Sequence, residues 1–238
     1  MAQAEHPGDH RRVFLTARWE DLINLTYSVP EELLRPHLPP GLELDIFEGS
    51  AHVSLVAFDF LSTRILGMPI PTYRNFPEIN LRFYVRWQGK PAVVFIREFV
   101  PKRAIAWSAR FLYNEPYRAI QMTSRILEDS YRSIEHKIAD FSIKAIVDSD
   151  CYYPEQTGAE HHFKEHDLGF GVSHGGQTLA YRVEHPIWKI HKVQKIEVNL
   201  DFTALYGDAW SILNHRKPAY ALVARGSEIK VRFPFKIK

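Results

Sequence analysis

Cysteine occurs once, at Cys151. A single thiol excludes an intramolecular disulfide and the CxxC pairs of redox and zinc sites, so a reducing, cytoplasmic setting is expected. Beside Tyr152, Tyr153 and Pro154, Cys151 reads either as a small packing residue or as a nucleophile. No apolar run approaches the ~18 residues of a spanning helix. Met1 to Arg12 is polar, without the apolar core of a signal peptide, and reads as a flexible leader. No membrane partner is expected. Charge of one sign is also lacking: 30 Lys and Arg against 28 Asp and Glu give a net +2. That is too little for a phosphate-backbone surface, so nucleic acid is not expected as a partner. The GxSxG elbow, the P-loop and the dinucleotide fingerprint are all missing. His161-His162-x-x-x-His166 places His162 and His166 four apart. It lacks the HExxH glutamate and a third ligand, so it reads as a solvated helix face, and no metal or cofactor is expected.

What is present fits one large domain, 13–238. The chain has 238 residues, 45% of them hydrophobic and 13% aromatic, enough for a sizeable core. Leu22 to Tyr27 suggests a strand. Ser28 to Glu31, with Pro30 in the first turn, predicts a short helix with a capping box ending near Leu34. Leu42 to Phe47 is expected to pair with His52 to Phe60 across Glu48-Gly49-Ser50. The Pro-rich stretch Gly67 to Pro77 reads as a loop over one end of the domain. Ile79 to Trp87 and Pro91 to Val100 form a second expected hairpin. Further strand-like segments cover Ile105 to Tyr113, Ala119 to Leu127, Tyr131 to Ile138 and Phe141 to Val147. Helices are expected over Glu155 to Leu168 and Thr203 to Leu213, with a hairpin turning at 174–177 between them. Ala219 to Ala224 and Glu228 to Phe233 close the chain around Arg225-Gly226-Ser227. The fold class is therefore α+β, a β-dominated and mostly antiparallel barrel or sandwich with a few flanking helices.

Three groups of residues carry potential chemistry. Pro91 to Arg103 reads as a buried strand that delivers Lys102. Pro101 removes a ladder donor and fixes φ, so Lys102 and Arg103 can leave the alternation and face one cavity. A surface turn with two solvated cations is the alternative. An amine attacks a carbonyl only when deprotonated, and an ordinary lysine, with pKa about 10.4, is ammonium at neutral pH unless burial or a nearby cation intervenes. Glu78, Asn80 and Arg82 lie two apart and share one face of a strand. That face is either a solvent-facing polar stripe or an internal row in which Arg82 pairs with Glu78 or holds a carboxylate. Tyr181 to Trp188 gathers His185, a residue able to move protons near neutral pH, and Trp188, unless the two only pack at a bend.

The string Pro30-Glu31-Glu32-Leu33, then Pro39-Pro40-Gly41-Leu42-Glu43-Leu44-Asp45, then Glu78-Ile79-Asn80-Leu81-Arg82-Phe83-Tyr84-Val85 resembles the YqjF-like family of unknown function. Glu184-His185-Pro186-Ile187-Trp188, Leu205-Tyr206-Gly207 and Gly226-Ser227 echo it later in the chain. The resemblance implies the acetoacetate decarboxylase-like fold, a β-rich barrel with flanking helices around a cavity. Arg97-Glu98-Phe99-Val100-Pro101-Lys102-Arg103 also resembles the decarboxylases' Arg-Glu…Pro-Lys-Lys segment, in which the first lysine forms a Schiff base beside a second cation. Carried over, Lys102 is the amine and Arg103 a permanent charge in place of the second lysine. Arg18 resembles an N-terminal arginine of the decarboxylases. His52-Val53-Ser54-Leu55-Val56 lacks the acid those enzymes carry there, which counts against acetoacetate as the substrate.

The expected function is binding of a small carbonyl or carboxylate compound in the barrel. Lys102, Arg103 and Glu98 form the catalytic set, and Arg18, Glu78, Asn80, Arg82, His185 and Trp188 contact the substrate; Glu98 or His185 moves protons. Two alternatives stand beside a Schiff-base lyase. One is a non-enzymatic ligand-binding protein using the same cavity, and the other a structural subunit of an assembly such as a homo-oligomer.

Overall fold

A computed structural model describes residues 11–69, 71–103, 116–173 and 175–237. The first ten residues of the expected leader, the whole of the expected strand Ile105 to Tyr113 and part of the turn at 174–177 lie outside these. In chain order the strands are β1 (Val13–Val29), β2 (Glu43–Leu44), β3 (Ala51–Ile65), β4 (Met68–Pro69), β5 (Phe76–Trp87), β6 (Lys90–Val100), β7 (Tyr117–Ala119), β8 (Met122–Glu128), β9 (Arg132–Ile138), β10 (Phe141–Tyr152), β11 (Leu168–Val172), β12 (Thr178–Glu184), β13 (Ile190–Asn199), β14 (Tyr220–Arg232) and β15 (Phe235–Lys236). Short helices α1 (Glu31–Leu34), α2 (Ala159–His162) and α3 (Phe202–Tyr206) interrupt them.

The strands join in the order β12-β11-β6-β5-β3-β1-β14, and a further β12–β14 pairing closes the ring. Most contacts are antiparallel, but β6 pairs in parallel with β11 and with β7. The β-dominated expectation therefore holds as a mixed, ring-like sheet rather than a regular barrel. From β14 an arm of β13, β10, β9 and β8 continues. Closure depends on β14, which pairs with β1 along its length while its first half takes β13 and its second half β12. The strand bends between the two at Gly226, whose φ is +81° and where an added Cβ would stand 2.0 Å from the Trp19 carbonyl oxygen. Only glycine fits this bend, so one strand runs where two meeting at a turn were expected.

Several local expectations change for identifiable reasons. β2 pairs with Val85 and Arg86 of β5, not with β3, because β3 already has β1 and β5 on its two edges. Ser28 is paired opposite His52 in the sheet, so α1 starts from Pro30 with no side-chain cap and the capping box does not form. The expected loop at 67–77 holds β4 hairpinned onto β3, and β5 already begins at Phe76. The helix expected over 203–213 is broken at Gly207, where φ is +103°, into α3 and a 3₁₀ segment, Asp208–His215. The helix expected over 155–168 shrinks to the single turn of α2, because the Phe163 carbonyl is taken by side chains of the ring.

Alternation sorts the ring residues onto two faces. Ile79, Leu81, Phe83 and Val85 of β5 join Leu25, Tyr27 and Phe99 in a core that includes α1, α3 and the arm, which therefore cover the outside. The opposite, enclosed face carries a cluster drawn almost wholly from the ring strands, including Phe58, Phe60, Phe76, Val100 and Val231, with Trp188 entering from the segment after β12. Among the described residues no helix is long and apolar enough to cross a membrane.

Candidate functional site

The polar row of β5 lies on the enclosed face. Glu78, Asn80 and Arg82 are only 3%, 2% and 8% exposed, and Glu98 on the neighbouring strand is 2% exposed, which sets aside the solvent-facing stripe. Their convergence follows from register. Asn80 sits opposite Glu98, and β7 brings Tyr117 beside Glu98 from the far side. A bulge between Leu81 and Arg82 adjusts the pairing beyond this point.

Asn80 Nδ2 donates to Glu78 Oε1 at 3.1 Å, and the Tyr117 hydroxyl donates to Oε2 at 3.1 Å. Glu98 is the third hydrogen-bonding partner of Glu78. Two carboxyl groups can hydrogen-bond each other only if a proton lies between them, so the pair is built to hold one. Burial pushes Glu78 up to about 7, against the bonds from Asn80, Tyr117 and Glu98 and the positive charge of Arg82, which all act downward. The result is a buried acid that titrates near neutrality, suited to giving or taking a proton.

Arg82 does not form the ion pair with Glu78 that the sequence allowed. Instead its Nη2 donates to the Phe163 carbonyl at 3.3 Å, which also accepts Tyr84 Oη at 3.1 Å and Asn24 Nδ2 at 2.9 Å. Behind these donors, Thr26, Ser54 and Tyr84 continue a chain of hydroxyl contacts at 2.6 and 2.5 Å. The three donors anchor the segment after α2 against the ring. Lys164 follows, its side chain wholly buried and paired with Glu165, and then His166, also buried, with neither ring nitrogen hydrogen-bonded. Burial and the charges of Arg82, His162, His185 and His161 push the His166 imidazole well below its ordinary range. The solvated helix face expected for His162 and His166 does not form, because the helix ends at His162, which is half-buried, and His166 beyond it is buried. No metal-binding cluster of His, Cys, Asp and Glu occurs among the described residues.

The remaining candidates fall in three places. Lys102 lies four residues beyond Glu98, half-buried, its ammonium donating to the Thr72 carbonyl and standing 4.8 Å from the centre of the Tyr73 ring. Arg103, next along, is exposed. Arg18 pairs with Glu20 and keeps 43% of its side chain exposed. His185 stacks on Trp188 at 4.2 Å with 22° between the rings, and its Nδ1 is 3.9 Å from Glu165 Oε2. Trp188 donates from Nε1 to Ser227 Oγ at 2.7 Å, while its backbone N–H donates to Glu165 at 3.2 Å. The structure therefore brings Glu78, Asn80, Arg82 and Glu98 together and ties His185 and Trp188 to Glu165. Sequence reasoning missed Asn24, Thr26, Tyr84, Tyr117 and Lys164. Tyr84 continues the two-residue period of the row, and Asn24 and Thr26 alternate with Ile23, Leu25 and Tyr27, so periodicity could have found these three. Nothing in the sequence marks Lys164.

The fold is similar to that of several solved structures. It superposes with a TM-score of 0.64 on the acetoacetate decarboxylase of Legionella pneumophila, at 12% identity over 99% of this chain and 93% of that one. An acetoacetate decarboxylase-like enzyme from Sphingomonas wittichii RW1 gives 0.65 at 12% identity over 100% and 98%. The enduracididine biosynthesis enzyme MppR, solved in complex with pyruvate, gives 0.63 at 11% over 98% and 93%. At these identities the likeness shows the acetoacetate decarboxylase-like fold. In sequence the chain is 36% identical over 107 residues to the uncharacterized protein YqjF of Bacillus subtilis (strain 168), a match that spans 44% of each protein. The profile of DUF2071, an uncharacterized conserved protein family, matches residues 16–228. The chain belongs to the DUF2071 family.

Proposed function

We propose that residues 13–238 act as one cytoplasmic unit that takes a small carbonyl- or carboxylate-bearing compound on the enclosed face of the ring. The observation that carries this reading is the convergence of Glu78, Asn80, Arg82, Glu98 and Tyr117 at one buried point of that face. A fold seeking only stability gains nothing from placing two acids there. In this reading Lys102 is the amine and Arg103 the adjacent permanent charge. The Lys102 nitrogen adds to the carbonyl carbon, water leaves, and a protonated imine forms. The imine then accepts the electron pair of an adjacent C–C or C–H bond. The Glu78–Glu98 pair supplies or receives the proton, and Arg82 holds a carboxylate. In this reading His185 and Trp188, both tied to Glu165, and Arg18 also contact the substrate.

A second reading has its own support. The Lys102 nitrogen is engaged by the Thr72 carbonyl and the Tyr73 ring, contacts it would have to give up to attack a carbonyl, so the same site can serve a binding protein with no covalent step. Borohydride trapping with pyruvate and a panel of other α- and β-keto acids, read by peptide mass spectrometry, separates the two. A reduced adduct on Lys102 is expected. An adduct on Lys164 would move the amine to the segment after α2, and binding without any adduct, retained in Lys102→Ala, would establish the binding protein.

A further inference from the structure

We propose that Arg82 and His166 together form a carboxylate subsite on the enclosed face, so that the compound taken up is an oxo acid rather than a neutral ketone or aldehyde. This rests on the ring-site reading above. Arg82 is buried on β5, and its Nη2 is committed to the Phe163 carbonyl while its Nε has no hydrogen-bond partner. His166 is buried three residues beyond Phe163, with both Nδ1 and Nε2 unpartnered. Tyr84 fixes the two relative to each other: it follows Arg82 by two residues on the same face of β5, its hydroxyl meets the same Phe163 carbonyl, and its ring lies 5.0 Å from the His166 ring.

Buried guanidinium and imidazole donors are normally satisfied, and an unmet one costs more than a hydrogen bond gains. Glu78 is bonded by Asn80, Tyr117 and Glu98 while the Arg82 guanidinium is turned to the Phe163 carbonyl, so the acid pair does not supply the acceptor that Nε lacks. A ligand carboxylate would meet all three requirements, giving the guanidinium an anion, Nε an acceptor and the imidazole N–H an acceptor. The groups facing His166 from the elements around it are Arg82, His161, His162 and His185, cationic or able to become so. An anion placed among them reverses their effect and makes protonation of His166 easier, so binding draws in a proton and tightens as pH falls.

The test uses the full chain with pyruvate and acetoacetate, each beside its methyl ester, which keeps the ketone and removes the charge. Calorimetric titration is expected to show the acids binding and the esters binding at least about tenfold more weakly, the worth of a charge-assisted hydrogen bond. Repeating the titration in buffers of different ionisation enthalpy should reveal proton uptake with the acids and none with the esters. His166→Phe should lose that uptake and about tenfold in affinity, while His166→Gln, which restores a donor, recovers part of the affinity without the uptake. Should His166→Phe fail to fold, His166→Gln alone still decides the proton uptake. Acids and esters binding alike, or His166→Gln taking up protons as the parent does, would overturn the subsite and leave the ring-site reading standing. Neither acids nor esters binding to the parent protein would overturn that reading itself.

Discussion

Replacing Glu78 by Gln should stabilise this protein in mildly alkaline solution. The carboxyl is buried and moved from 4.5 to about 7, and each tenfold change in an acidity constant is worth about 1.4 kcal/mol. Below pH 4.5 the group is protonated in the folded and the unfolded chain alike, and its contribution is fully present. As pH rises the unfolded chain ionises first, and the contribution is lost by the time the pH passes the folded value. The loss amounts to about 3 kcal/mol across that window. Glutamine reproduces the protonated state, because its oxygen can accept from Asn80 and its amide can donate to Glu98, so the variant has nothing to lose. The two proteins should be matched near pH 4.5 and diverge to roughly 6–10 °C in Tm at pH 8 for a chain of this size, with Glu78→Gln the higher. Thermal denaturation of both at half-unit steps from pH 4.5 to 8.5 provides the comparison, and the difference between the curves cancels groups common to both. Parallel curves, or a variant less stable than its parent at pH 8, would refute the assignment of a buried acid to this position.

Two further substitutions probe the frame around the site. His136 is fully buried in β9 and pushed down to about 4 by burial. Its contribution is therefore present above pH 6.5 and lost as pH falls through 4, so His136→Leu should flatten the acid limb by about 3 kcal/mol, measured by urea denaturation between pH 4 and 7; an unchanged limb would contradict it. Gly226→Ala puts a Cβ into the Trp19 backbone at a φ of +81°, where neither strand can move without breaking the ring. A loss of at least about 3 kcal/mol is expected, and a urea midpoint close to the parent's would show that the bend is not held as described.

The fold was legible where periodicity and turns act locally. The β5–β6 hairpin around Gln88-Gly89-Lys90 appears at the expected place, with positive φ at Gln88 and Gly89. Two of the failures share a cause in competition from distant chain. The segment at 42–47 looks like a hairpin partner of β3, but β1 takes that edge from another part of the sequence. The helix expected over 155–168 has a helical composition, yet three side chains from β1 and β5 claim the Phe163 carbonyl that would have continued it. For the site, period-two alternation placed Glu78, Asn80 and Arg82 on one face without deciding which side water was on. That depends on ring closure at β12–β14, a contact nearly fifty residues apart in the chain. Lys164 is illegible for the same reason, since a lysine between Phe163 and Glu165 is ordinary until the ring closes over it.

Burial of this polar row is hard to account for by folding alone. The outer core of the ring already joins β1, β3, β5 and β6 to the arm through apolar contacts that include Leu25, Leu55, Leu81 and Phe99. On the enclosed face, apolar side chains of equal volume at 78, 80 and 98 would remove two acids from a site where solvation is lost, a change that is often neutral or stabilising. Asn80 of the row pairs with Glu98 near the end of β6, and after that strand ends at Val100 the chain runs through Pro101 to Lys102. The end of β6 places Glu98, hydrogen-bonded to Glu78 of β5, four residues before Lys102, and under the proposed function that spacing sets a proton-holding pair beside an amine. The stability gained by Glu78→Gln at pH 8 would measure the free energy the fold gives up to keep that acid in place.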